Sequence, residues 1–123
     1  MPHDGRVPQD VLIVDDHAPF RRVVGELLRD SGHRIVGEAA TGTEGLEAAA
    51  RLRPQAVLLD VGLPDMTGFT VAAGLTADGN GPTIVLTSAD PGPDYEALAL
   101  RAGARRFVAK ADLAALALDD LWS

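Results

Sequence analysis

VLIVDDHAPF, residues 11–20, decides how this sequence folds, because four branched apolar residues run without a break into two adjacent aspartates. A strand so uniformly apolar must be covered on both faces, as in a parallel sheet sandwiched between helices. Similar runs recur as AVLLD (56–60), TIVLT (83–87) and the weaker RFVAK (106–110), while RIVGE (34–38) alternates more and suits an edge strand. In chain order the expected strands are β1 (11–15), β2 (34–38), β3 (56–60), β4 (83–87) and β5 (106–110).

Helical patterns separate these runs. Phe20, Val23, Val24, Leu27 and Leu28 share one face of α1, which Ser31-Gly32 closes. Thr43 to Arg53 reads as α2, with Thr43 as N-cap and Pro54 as terminator. Further helices are expected at about Gly68–Thr76 (α3), Asp94–Ala102 (α4) and Asp112–Leu121 (α5), with Gly79-Asn80-Gly81-Pro82 and Pro91-Gly92-Pro93 as loops. Strand and helix alternate throughout, and right-handed crossovers then give an α/β fold with a doubly wound five-stranded parallel sheet. The expected strand order is 2-1-3-4-5, with helices on both faces.

A length of 123 residues suits one domain, here 10–123, preceded by a flexible Pro- and Gly-containing leader over 1–9. Hydrophobic residues make up 46% of the chain with only one Trp, one Tyr and three Phe, so the core must be aliphatic and rich in Ala. The net charge of -7 argues against direct nucleic-acid or anionic-membrane binding by this chain, and any DNA contact would need another domain. Absence of cysteine excludes disulfides, thiolate catalysis and zinc-thiolate sites. The leader has no apolar core segment and no long apolar run follows, so the expectation is a soluble protein acting in the cytoplasm.

Every strand but the edge one ends in polar groups: Asp15-Asp16, Asp60, Thr87-Ser88 and Lys110. In open α/β sheets ligands bind outside the carboxyl ends of strands where strand order reverses, here between β1 and β3, so the three acidic residues meet there. Clustered carboxylates without nitrogen or sulfur donors suit a hard cation such as Mg²⁺ with positions left open. Asp60 can act as a nucleophile in phosphoryl transfer, with Lys110 and the Thr87 hydroxyl donating to phosphoryl oxygens. Taken singly, an aspartate pair or a strand-end Thr or Lys is ordinary structure; five such groups at compatible places in one topology are a constellation.

With VDDH, LLDVGLPDMTG, VLTSA and GARRFVAK in order, the sequence resembles the receiver domain of response regulators, the phosphoacceptor half of two-component signalling. The resemblance runs from about Val11 to Leu121 and is nearest to LuxR-type receivers, through DDHAPFRR and a Lys not followed by Pro. It implies phosphorylation of Asp60 by a sensor histidine kinase, with Asp15, Asp16, Asp60 and the carbonyl of Gly62 holding Mg²⁺. Asp16 would bind the metal directly and Asp15 largely through water. Thr87 takes the place of the switch hydroxyl, Lys110 of the conserved cation and Phe107 of the switch aromatic. Such a protein catalyses only its own phosphorylation and dephosphorylation, and reads out through its α4-β5-α5 face to an effector, an output domain or a second copy. Phosphorelay signalling, with transcription as an output, is the implied setting; a degenerate receiver acting as a phosphorylation-independent interaction module is the alternative.

Several departures shape the expectations. Phe107 stands where Tyr is commoner, so its two ring states differ in packing alone. Ala111 follows Lys110 where many receivers carry a cis proline; a non-proline cis bond costs about 2.5–4 kcal/mol, so a trans bond is expected. Pro91-Gly92-Pro93 restricts the loop after Thr87. Ala89 and Gly62 leave the rim of the site small, at positions that tune phosphoryl lifetime in the family. Gly62 also stands where phosphatases of the haloacid dehalogenase type need a second aspartate, which opposes that enzyme reading. His17 is expected at the rim rather than on the metal, His3 and His33 at the surface. Arg21-Arg22 and Arg105-Arg106 read as solvated charges, with a kinase contact through α1 as the second possibility for the first pair. Leu113, Ala114, Leu116, Ala117, Leu118, Leu121 and Trp122 spread over more of α5 than one packed stripe needs, which suggests a partner there.

Overall fold

The computed structural model describes residues 7–115 and 121–122. Five strands, β1 Asp10–Val14, β2 Arg34–Ala39, β3 Ala56–Asp60, β4 Thr83–Ser88 and β5 Arg106–Ala109, alternate with α1 Ala18–Asp30, α2 Gly42–Leu52, α3 Gly68–Thr76, α4 Tyr95–Arg101 and α5 Lys110–Leu113. All strand pairs are parallel and the order is β2-β1-β3-β4-β5, as expected from the sequence.

Side chains alternate across a strand, so each strand feeds two cores. Val11 and Ile13 join Leu58, Val85 and Val108 beneath Val24 and Leu28 of α1 and Leu113 of α5. Leu12 and Val14 join Val57, Leu59, Ile84 and Leu86 beneath Ala48 and Ala49 of α2, Val71 and Ala72 of α3 and Ala99 of α4. Alanine-lined helices can approach the sheet closely, which is how a core with so few aromatics fills its volume.

Helix ends follow local chemistry. Ser31 caps α1 and Gly32, at φ 95°, takes the left-handed conformation that stops it. The N-cap of α2 is Thr41, not Thr43: the Thr41 hydroxyl accepts from Glu44 N at 3.0 Å and the Glu44 carboxylate accepts from Ala40 N at 3.0 Å. The Thr-x-x-Glu spacing satisfies two otherwise orphaned amides and so outcompetes a start at Thr43, whose hydroxyl instead donates to Asp65 at 2.8 Å. Lys110 is the first residue of α5 rather than the last of β5, because the β4–β5 ladder ends at Ser88 and Ala109 and no breaker follows. Most of the expected α5 beyond Ala115, including Leu116, Ala117 and Leu118, lies outside the described residues, as does His3. No cis peptide bond occurs among the described residues, so Lys110–Ala111 is trans.

Two surface expectations are corrected. His33 is buried, because its Nδ1 accepts from the Gln9 N–H at 3.0 Å and the chain entering β1 covers it. Leu113, Leu121 and Trp122 are also buried, in the core that α1 shares.

Candidate phosphoacceptor site

The carboxyl ends of β1, β3 and β4 bring the polar residues together. Asp15 follows β1 directly and is 1% exposed. Its Oδ1 accepts from the His17 N–H at 2.8 Å, its Oδ2 lies 2.6 Å from Lys110 Nζ, and its carbonyl accepts from the Arg21 guanidinium. Arg21 also pairs with Glu38 at 2.8 Å, so it is a tether between α1, β1 and β2 and not the solvated charge expected; Arg22 does face solvent. Asp16, one residue on, points outward and is exposed.

Asp60 is the last residue of β3, is 6% exposed, and pairs in register with Thr87 of β4. The loop behind it is built tightly: the Gly62 N–H donates to the Asp60 carboxylate, and Gly62 bridges to Thr67. The Gly68 N–H donates to the Val61 carbonyl at 2.8 Å, and a Cβ at Gly68 would sit 2.2 Å from the Asp60 carbonyl oxygen. Only glycine lets α3 begin so close to the phosphoacceptor candidate.

Carboxylate oxygens of Asp15, Asp16 and Asp60 lie within 4.8 Å of one another. Lys110, 2.6 Å from Asp15 and 3.7 Å from Asp60, supplies a single compensating ammonium. Burial, and then the Asp15 charge, push the Asp60 carboxyl above its ordinary value; Lys110 and the Gly62 N–H oppose the shift and Asp16 adds to it. Such a surplus of negative charge on hard oxygen donors fits a divalent cation. Beside it opens a cavity of about 440 Å³, lined among others by Asp16, Phe20, Asp60, Ser88, Ala89 and Lys110. His17, Gly62 and Asp90 also border it, so the expected rim position of His17 and the small side chains at Gly62 and Ala89 are as read from the sequence.

Thr87 is fully buried and its hydroxyl has no hydrogen-bond partner among the described residues. Buried hydroxyls are normally satisfied, so an orphan beside a nucleophile candidate is a donor in waiting. Phe107 is half-buried and meets Tyr95 edge-on, with centroids 5.6 Å apart and planes at 80°. Tyr95 in turn meets Phe69 of α3 at 5.3 Å. Phe20, Arg21, Gly68 and Tyr95 were not among the expected site residues. Phe20 was legible only as part of an apolar helix stripe, and nothing local in sequence marks Tyr95 as the neighbour of Phe107.

The response regulator receiver domain profile matches residues 11–118. The chain belongs to the response regulator receiver family. This receiver is 39% identical over 85 residues to the transcriptional regulatory protein PdtaR of Mycobacterium tuberculosis, covering 69% of this chain and 42% of the relative. It thus spans less than half the length of that relative. Its structure is similar to the receiver domain of the putative response regulator NarL of M. tuberculosis, with a TM-score of 0.84, 32% identity and 92% of each chain covered. A LuxR-family response regulator from Aurantimonas gives a TM-score of 0.81 at 27% identity, with 89% of this receiver and 79% of that chain covered. Among the described residues no helix of the receiver is long and apolar enough to cross a membrane.

Proposed function

We propose that this receiver accepts a phosphoryl group on Asp60 from a sensor histidine kinase, with Mg²⁺ as cofactor, and relays the event through its α4-β5-α5 face. The observation that carries the reading is the buried, unpartnered Thr87 hydroxyl on the strand paired with Asp60, with Lys110 within 3.7 Å of that carboxylate. A carboxylate oxygen of Asp60 attacks phosphorus while the phosphorus–nitrogen bond of the donor phosphohistidine breaks, its electron pair returning to the imidazole. The Lys110 ammonium and the Thr87 hydroxyl donate to the phosphoryl oxygens, and the small Gly62 and Ala89 leave room for the donor and later for water. Asp15, Asp16, Asp60 and the Gly62 carbonyl would hold Mg²⁺, Asp16 as the outward-facing direct ligand; when bound, the metal offsets phosphoryl charge.

The new group adds about -1.5 to -2 charge and strong acceptors, so Thr87 turns toward it and the Phe107 ring fills the space vacated. On the readout face a groove of about 900 Å³ runs between Glu96, Arg105, Phe107 and Asp112, and Arg106 there is half-buried rather than fully solvated. An effector, output domain or second copy engages that face. Leu113, Leu121 and Trp122 are committed to the receiver's own core and contribute nothing to it. With transcriptional regulators among its relatives, the output is control of transcription through a DNA-binding region other than this acidic domain. We assign 1–9 to a leader and 10–123 to the receiver, acting in the cytoplasm and catalysing only its own phosphorylation and dephosphorylation.

Incubation with Mg²⁺ and acetyl phosphate tests the reading. Intact-mass measurement should find one added phosphoryl group in the wild type and none in Asp60→Asn. Equal behaviour of the two proteins would discard it in favour of a phosphorylation-independent interaction module.

A further inference from the structure

We propose that Phe20 is a positioning residue for Lys110, holding the ammonium against the face of its ring so that it stays at Asp60 when Asp15 releases it; this rests on the phosphoacceptor reading above. Lys110 Nζ stands 4.2 Å from the centroid of the Phe20 ring, 2.6 Å from Asp15 Oδ2 and 3.7 Å from Asp60 Oδ1. Phe20 therefore forms one wall of the same cavity that holds Asp60 and Lys110.

The three contacts differ in what they permit. Asp15 Oδ1 accepts from the His17 N–H, and Oδ2 is the oxygen that faces the Lys110 ammonium. A divalent cation held by Asp15, Asp16 and Asp60 would compete with the ammonium for the Asp15 carboxylate. Once Asp15 is so engaged, Lys110 loses its closest partner. Its long flexible stem could then carry it outward, since Asp16 and Asp90 at the mouth of the cavity are exposed carboxylates. An aromatic face attracts the ammonium without neutralising it and without a directed hydrogen bond. Lys110 can consequently turn its N–H groups toward a phosphoryl oxygen while remaining on the ring. An aliphatic side chain of similar bulk at position 20 would pack against the α1 core equally well but would not hold a cation.

The chain's sole lysine is Lys110, so lysine labelled with ¹³C and ¹⁵N gives one set of side-chain signals from the full protein. In the wild type its ε-methylene protons should be shifted upfield by the ring current, both without metal and with Mg²⁺, and the shift should vanish in Phe20→Leu. With acetyl phosphate at saturating Mg²⁺, the phosphorylation rate constant should fall about 5-fold in Phe20→Leu and stay near wild type in Phe20→Tyr. Mono-, di- and trifluorinated phenylalanine at position 20 should lower it stepwise, with the KM for the donor unchanged. The proposal is overturned by a wild-type lysine signal at its ordinary position, or by a Leu variant as fast as wild type. It is equally overturned if Phe20→Leu is slow but the fluorinated series is flat, which would mark a packing role. Failure of the wild type to accept phosphoryl groups would refute the Asp60 reading instead, leaving the metal-free lysine signal to decide the Phe20 contact.

Discussion

Asp60 stands in a place that disfavours the charge of its carboxylate, because burial and then the Asp15 charge oppose it. A carboxyl whose folded pKa stands above its unfolded value binds its proton more tightly when folded, so stability falls as pH rises through the unfolded value toward the folded one. Asp60→Asn should therefore stabilise the metal-free protein at pH 7, and the gain should disappear as pH falls below the unfolded value of 3.8. Thermal unfolding in a chelator at several pH values checks this; a melting temperature lowered by the substitution at pH 7 would contradict it. Mg²⁺ should raise the melting temperature of the wild type more than that of Asp60→Asn, since ligand binding to the folded state stabilises it. Thr87→Ala removes a hydroxyl that has no partner to lose among the described residues, so it should leave stability within about 1 kcal/mol of wild type while slowing phosphorylation and blocking the response of Phe107. Stopped-flow phosphorylation kinetics and ring NMR signals of Phe107 read the two effects separately.

At the scale of elements, the β3–α3 loop is fastened to the N-terminus of α2. Asp65 accepts from the Gly42 N–H at 2.8 Å, the Thr43 N–H at 2.9 Å and the Thr43 hydroxyl at 2.8 Å, and these bonds hold its carboxyl down at about 2. Because the folded pKa is depressed, the stabilisation is present above the unfolded value of 3.8 and is lost as pH falls through it toward about 2. Asp65→Ala should lower the melting temperature at pH 7, and its gap to wild type should narrow over that acid range. A gap independent of pH would exclude the ionic cap. Thr41→Ala, which removes the side-chain cap of the same helix, should cost about 1 kcal/mol in chemical denaturation. Thr43→Val would lose only the hydroxyl bond to Asp65, so the two substitutions separate the observed cap from the one expected.

Across the whole molecule, switching needs a two-state element biased by chemistry at one end of the sheet. Moving the active form from about 1% to about 99% takes roughly 5.5 kcal/mol of preferential stabilisation, within reach of several charge-assisted hydrogen bonds together with a metal. The Phe69–Tyr95–Phe107 row links α3, α4 and β5, so the inward movement proposed for Phe107 would break or redirect its edge contact with Tyr95. On adding beryllofluoride and Mg²⁺, backbone NMR shifts should concentrate in β4, the Pro91–Gly92–Pro93 loop, α4 and β5 and spare the β2 edge. A sedimentation series should show association or effector capture in the beryllofluoride form alone. A form that stays monomeric and binds no candidate output domain would rule out relay through that face.

The order of strands and helices, the two-faced core and the five polar positions at strand ends were all legible in the sequence, because hydrophobic periodicity and strand-end polarity are local properties. Phe20 as the wall beside Lys110, Arg21 as a tether, His33 as a buried acceptor and Thr41 over Thr43 as the cap were not. Each depends on a partner distant in sequence or on competition between neighbouring hydrogen bonds. Local sequence thus determined which groups would gather at the carboxyl edge of the sheet. Only the tertiary structure decided how they divide their contacts: Lys110 rests nearer Asp15 than Asp60, and Thr87 is buried with its hydroxyl unspent, because those distances follow from strand register and helix packing.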